Sequence, residues 1–412
     1  MRRKRAKQKM KPLLTAVAVF FFCAFLMLYF RTGNTESLLL SAVVPLVTVV
    51  SALLLSSLFG ADRLLLSLVS FLADLGVLIL YRISPELGIQ QAIHCLAGLA
   101  VMTVCILLVR NISRWPALIL IAMAASLAML ALPLVAGKEI NGAKAWLSIG
   151  GYSLQPSEPV KLALLLSVAY VLSRRQYILA ILFSGLCLLL LMLQKDLGTA
   201  LLYYFAVLII LYSATGSLLL ILLGLAAGAG AAVLGYSMFA HVKVRVAVWQ
   251  DPWQDADHYG YQIVQGLIAM VNGGLWGMGL GQGNAVRIPE AQNDYIFAVI
   301  INEFGLVFAL AVLLVYALII VRSVMIARRS TSLMYALLAA GCAGMLGVQA
   351  FVIVGGIIKL IPLTGITLPF VSSGGSAMAA SMGIAGLIQG VNARNRDVLK
   401  EDRRIAEGGS RV

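Results

Sequence analysis

A succession of apolar runs constrains this chain more than any other feature. A helix rises about 1.5 Å per residue, so roughly twenty apolar residues cross a bilayer's hydrocarbon core. Twelve such runs, closed by charge, Gly or Pro, fall near 12–30, 37–60, 64–81, 87–109, 116–136, 159–173, 178–193, 199–214, 217–240, 295–321, 332–356 and 376–392. Those near 159–173, 178–193 and 199–214 are short and closely spaced, which predicts helices that are tilted, broken or longer than the runs. With 61% hydrophobic and 12% charged residues among 412, a soluble core could not absorb the apolar surplus. The expected fold class is an all-α polytopic membrane protein with about 12 transmembrane helices. Cys23, Cys95, Cys105, Cys187 and Cys342 all lie inside apolar runs, so they read as small buried hydrophobes outside any disulfide framework.

A formal charge of +14 would suggest nucleic acid as the partner of a soluble protein. Here the charge follows topology instead, so the lipid bilayer is the expected partner and nucleic acid is not. The opening MRRKRAKQKMK carries seven cations before the first run, which by the positive-inside rule directs the N-terminus to the cytoplasm. An even number of spans returns the C-terminus there. Six tail cations and Arg63, Arg110, Arg114, Arg174, Arg175, Arg322, Arg328 and Arg329 then share that side. The first run is too long for a signal peptide and no A-x-A-like site follows Phe30. No 20–50-residue repeat supports an inverted-repeat transporter.

A transporter places ionisable residues mid-span, and here these are few. Asp74 reads either as a proton relay or as the partner of another polar group in the bundle, and His94 as an interior histidine. Polar residues gather instead at the external ends of the spans, in 138–161, 193–200, 241–294 and 359–376, which points to one extracytoplasmic site. The 241–294 loop is too long for a mere connection. Its YQIVQGLIAMV stretch reads as an interfacial helix, with Trp253, Tyr261 and Trp276 at headgroup depth. The glycines of NGGLWGMGLGQGN serve equally well as an anion-binding nest or as points of close packing. Asp294, at the lip of the tenth run, fits a desolvated general base or a solvated helix-start residue. Glu158 and Asp196 share that ambiguity, and Lys144, Lys161, Lys195, Arg245 and Arg287 supply cations on the same face.

At these residues the chain resembles the SEDS family (shape, elongation, division and sporulation), typified by RodA, FtsW and SpoVE. The matching motifs are WLSIGGYSLQPSEPVKLAL (146–164), QKDLGT (194–199), GYQIVQGLIAMVNGGLWGMGLG (260–281), IPEAQNDYIFAVIINEFG (288–305) and PLTGITLPFVSSGGS (362–376). The resemblance implies three regions. A basic arm and two additional N-terminal helices (1–61) precede a ten-helix core (62–392) holding the extracytoplasmic loop 241–294, and a cytoplasmic tail (393–412) follows.

The implied activity is peptidoglycan glycosyl transfer. Lipid II is polymerised into a growing glycan strand outside the bacterial cytoplasmic membrane, alongside a class B penicillin-binding protein. Asp294 matches the family's essential acidic residue and is the implied general base, with Glu158 and Asp196 as further acidic site residues. Lys161, Arg245 and Arg287 are implied diphosphate ligands. Lys144, Gln155, Ser372, Gly374 and Gly375 complete the substrate-binding set. The resemblance leaves room for a divalent cation, magnesium or manganese, held by an acidic residue. It also leaves two other readings open, a lipid II flippase and a non-catalytic scaffold that recruits a penicillin-binding protein. The chain departs from the family's usual pattern at Lys195, usually Pro, at Gln292 and Asn293, usually His-Thr, and at Asn302, usually acidic.

Overall fold

The computed structural model describes residues 11–112, 115–140, 142–149, 152–284 and 288–409. The first two apolar runs form a helical hairpin, α1 (Lys11–Thr32) and α2 (Thr35–Leu58). Then follow α3 (Arg63–Ile83), α4 (Pro85–Asn111) and α5 (Trp115–Ala136). After a short sheet come α6 (Ser157–Ser173), α7 (Tyr177–Leu193), α8 (Leu197–Thr215), α9 (Leu218–Met238) and α10 (Ala240–Gln250). α11 (Tyr261–Gly273) precedes α12 (Ile296–Arg328), α13 (Leu333–Ile357) and α14 (Gly375–Gly409).

Every expected apolar run is helical, yet among the described residues nine helices are long and apolar enough to cross a membrane: α1 to α5, α8, α9, α12 and α13. The count of about twelve is reduced because α6 and α7 have 17 residues each and only the first half of α14 is apolar. That last helix does not stop at the apolar run's end near 392, because the polar segment beyond it lacks Pro and continues the helix to Gly409.

The chain is not wholly α. Within 138–154, β1 (Lys138–Ile140), β2 (Ala143–Ile149) and β3 (Tyr152–Leu154) form an antiparallel sheet in the order β1-β2-β3. Leu147 pairs with Leu154 and Ser148 with Ser153. Gly142, in the connection between β1 and β2, has φ +81°. Cys105, Cys187 and Cys342 are buried as expected, whereas Cys95 is only partly covered and Cys23 faces outward; all five are free thiols.

The core is built around α3, which is buried along most of its length, together with α13 and the apolar half of α14. The N-terminal hairpin docks through an aromatic seam in which Phe20 stacks on Phe308 at 6.0 Å and Phe21 meets Phe71 at 5.6 Å. Within the same interface Thr48 Oγ1 of α2 donates to Asp74 Oδ2 of α3 at 2.6 Å. Asp74 is therefore held as a bundle partner across that joint.

α12 breaks near its start. Gly305 has φ +84° and ψ 170°, a conformation essentially reserved for glycine. The segment after α11 inserts at the break and takes up the backbone groups it frees. Met278 N donates to Asn302 O and Gly279 N to Glu303 O, both at 2.9 Å, while Leu306 N donates to Gly274 O at 3.0 Å. A β-carbon on Gly277 or Gly305 would collide with the facing backbone. The glycines of 273–281 thus permit close packing against α12.

Gly305→Ala is expected to destabilise the protein by at least about 2 kcal/mol, since it adds a strained φ to a backbone collision. The melting temperature of the detergent-purified protein is the measurement, and an unchanged value would contradict the need for glycine here.

Candidate active site

The loop between α13 and α14 is the foundation of the site. Gln349 Nε2 donates to Thr367 O at 2.8 Å, Tyr316 Oη to Pro369 O at 2.5 Å and Gln91 Nε2 to Ser372 O at 3.1 Å. So anchored, the loop clips the segment leading into α12: Ser372 Oγ donates to Asn293 O at 2.7 Å and Ser373 N to Gln292 O at 2.9 Å. Asp294 follows at once, so its backbone is fixed on both sides.

α10 lies across the same loop. Arg245 Nη1 donates to Thr364 O and Trp249 Nε1 to Lys359 O, both at 3.0 Å. The two charges converge over Gly365, where a β-carbon would lie 3.5 Å from Arg245 Nη2 and 3.7 Å from Asp294 Oδ2. Gly365 itself has φ +74°.

The start of α8 packs on the same turn. A β-carbon on Gly198 would be 2.8 Å from Thr364 O and 2.9 Å from Ile366 Cγ2. Asp196 caps this helix, accepting from Thr199 N and from Gln155 Nε2 at 3.1 Å each. Nearby on α6, Glu158 and Lys161 form an ion pair at 2.9 Å and are 6% and 2% exposed. A buried pair of this kind needs both members, because loss of one strands the other's charge.

Burial pushes the Asp294 carboxyl up from 3.8 to about 7; Arg245 pulls it down and Glu290 raises it, but desolvation wins. Burial also raises Asp196, opposed by its bonds to Thr199 and Gln155, while Glu158 adds to the rise. His241 of α10 is held below its usual range by burial, with Arg245 and Lys195 contributing. α10 therefore lies within electrostatic reach of both acidic groups' surroundings.

Of the residues expected at the site, Asp294, Arg245, Asp196 and Gln155 meet around the Thr364–Ile366 turn, with Glu158 and Lys161 behind Asp196. Ser372 acts through its clip on Asn293. Gly374 and Gly375 open α14, where a β-carbon on Gly375 would stand 2.9 Å from His94 Nε2. Lys144 is directed elsewhere, its Nζ donating to Leu134 O at 2.8 Å. Arg287 lies outside the described residues. Among the described residues no three His, Cys, Asp or Glu side chains come together as a metal cluster.

Two departures from the family pattern have a local cause. Lys195 has φ +60°, which a proline ring forbids. Asn302 donates through Nδ2 to Ala269 O at 2.7 Å and accepts from Asn284 N at 3.0 Å, a pairing that needs an amide.

Sequence reasoning missed a brace beside these residues. Glu303 pairs with Arg82 of α3 at 3.1 Å and accepts from Gly281 N at 2.5 Å. Arg82 also donates to Gly283 O at 3.1 Å, and Arg31 at the end of α1 donates to Leu280 O at 2.8 Å. The end of the glycine-rich segment is thereby tied to α3, α12 and the N-terminal hairpin. The only sequence signal was a carboxylate in the apolar stretch after Asp294.

A family model described as "Cell cycle protein" (FtsW, RodA, SpoVE) matches residues 63–397. The peptidoglycan glycosyltransferase RodA of Mycobacterium tuberculosis is 34% identical over 353 residues, which cover 78% of this chain and 75% of that protein. A chain from a peptidoglycan synthase complex, described as coordinating polymerization and crosslinking, aligns with a TM-score of 0.69 and 31% identity, covering 82% of this chain and 98% of the other. The rod shape determining protein RodA of Thermus thermophilus aligns at 0.61 and 30%, with the same coverages.

Glu303→Gln should lower stability by about 3 kcal/mol, because it leaves the Arg82 charge part-buried and unpaired. Arg31→Gln removes one bond at an exposed side chain and should cost about 1 kcal/mol. Thermal melts of the two variants check this order, and equal losses would argue against the brace.

Proposed function

The chain belongs to the SEDS family of peptidoglycan glycosyltransferases, the FtsW/RodA/SpoVE group, and on that premise we propose that it polymerises lipid II at the outer face of the bacterial cytoplasmic membrane. The observation that carries this reading is the convergence of a carboxyl with a pKa of about 7 and a guanidinium over the bare backbone of Gly365. A base for a sugar hydroxyl works best with a pKa near ambient pH, and a diphosphate leaving group needs a fixed cation.

The acceptor's 4-hydroxyl attacks the anomeric carbon of the donor. Its proton passes to Asp294, a new glycosidic C–O bond forms, and the bond to the diphosphate breaks with its electron pair leaving on the phosphate oxygen. Arg245, whose Nη1 is anchored on Thr364 O, meets that developing charge through the rest of its guanidinium. One displacement inverts the anomeric centre, from α-linked donor to β-linked polymer. Glu158, Lys161, Asp196 and Gln155 hold the opposite wall of the turn and orient substrate there. Arg287 is proposed as a further diphosphate contact. No step is routed through a metal ion.

α6, α7 and the first half of α14 join the nine candidate spans to make twelve crossings. Ten belong to the core at 62–392, and the pair within 1–61 is additional. Both termini, with the tail 393–412, are then cytoplasmic. α9 supports access for polyprenyl chains, since Gly235 is its one buried residue and its flanks are exposed and apolar. The partner is a class B penicillin-binding protein, a reading supported by the similar chain from a peptidoglycan synthase complex. A flippase would need a polar path through the bundle, and Asp74 is instead bonded to Thr48 at the joint with the N-terminal hairpin.

With its cognate penicillin-binding protein and lipid II, the purified protein is expected to make glycan strands, and Asp294→Asn to slow this by about 10²-fold or more while leaving the melting temperature near that of wild type. Full polymerisation by Asp294→Asn would remove Asp294 as the base. Wild type that makes no polymer but moves labelled lipid II across vesicles would support the flippase. Only the deprotonated carboxyl accepts the proton. The wild-type rate should therefore rise about tenfold per pH unit below a pKa of about 7 and level off above it.

A further inference from the structure

α12 runs from Ile296, beside Asp294, to Arg328, so its far end marks the opposite face of the molecule. There the ends of α2, α3, α4, α12 and α14 enclose a cleft of about 580 Å³. Six cations line it: Arg63, Arg110, Arg322, Arg329, Arg396 and Lys400. Its two carboxylates hold three of them. Arg322 forks onto Asp62 at 3.1 and 2.5 Å, while Arg110 and Lys400 share Asp397 at 2.8 and 3.5 Å.

The other three arginines have no carboxylate among the described residues. Among those residues Arg63 Nε donates to Ser56 Oγ at 3.0 Å, Arg396 donates to Gly60 O, and the Arg329 side chain makes no hydrogen bond. The positive-inside rule asks only for cations near the inner helix ends, a role that Arg328 fills without lining the cleft. It does not ask arginines from three separate helices to converge on one concave surface, where they repel one another. Guanidinium forks match the geometry of phosphate oxygens, and a bound anion turns that repulsion into attraction. Leu58 and Leu399, both exposed, border the same cleft and offer an apolar rim.

We propose that this cleft is a binding site for a phosphoryl anion, served by Arg63, Arg329 and Arg396. The apolar rim suits a phospholipid headgroup whose acyl chains remain in the bilayer, and a free phosphate shares the same recognition chemistry.

The test uses the full-length protein in detergent, with native mass spectrometry of bound phosphatidylglycerol against phosphatidylcholine. Wild type should retain phosphatidylglycerol preferentially. Arg329→Gln should weaken that retention about fivefold, and Arg63→Gln/Arg329→Gln about 25-fold. Arg328→Gln removes the same charge from the same helix end and should leave retention unchanged. Inorganic phosphate added in competition separates the sources. If it displaces the lipid and alone raises the melting temperature, the ligand is free phosphate; if it does neither, the ligand is the headgroup. Arg329 has no bond to lose, so its variant should melt as wild type does. Absence of any preference for phosphatidylglycerol together with no response to phosphate would overturn the proposal, as would equal losses in Arg328→Gln and Arg329→Gln.

Discussion

A helix in a bilayer has to satisfy its own backbone, since lipid offers no hydrogen bonds. α12 departs from this at Gly305, and the segment after α11 is arranged around the repair. The segment 274–279 supplies the missing partners from its own main chain, which demands glycine wherever the two backbones touch. Because that segment is fixed, its continuation can be tied by Arg82, Glu303 and Arg31. Asp294 lies at the entry to the same helix.

Two opposing effects meet at that carboxylate. Arg245 favours its charged form and desolvation its neutral form, and desolvation is the larger. A stronger cation contact would hold the group fully ionised, as a weak base. A drier pocket without Arg245 would hold it protonated. The actual balance sets the carboxyl at a pKa of about 7, which suits the proposed role of proton acceptor.

Hydrophobic run length alone revealed the helices, because bilayer thickness leaves the sequence little freedom there. It placed α6 and α7 to within two residues and misjudged the end of α14, where a polar segment without Pro carries the helix on. The short sheet at 138–154 escaped notice because its alternation covers only a few residues. At the site, Asp294, Asp196 and Gln155 were legible as polar groups in matching motifs, and Arg245 as a cation in the long loop on the same face. Their meeting point, the Thr364–Ile366 turn, was not, since carbonyl groups and a bare Cα have no signature in a sequence. Lys144 shows the converse: a cation in the right segment whose long side chain reaches a nearby helix end.

The clip between Ser372 and Asn293 joins segments 79 residues apart, and the loop that carries it leads directly into α14. A chain made from its N-terminus onward acquires Asp294 well before it acquires that loop. Until the last helix has entered the bilayer, the carboxylate has neither its clip nor the turn on which Arg245 rests. The nascent chain consequently lacks this arrangement for most of its own synthesis and completes it only when the last segment has been made.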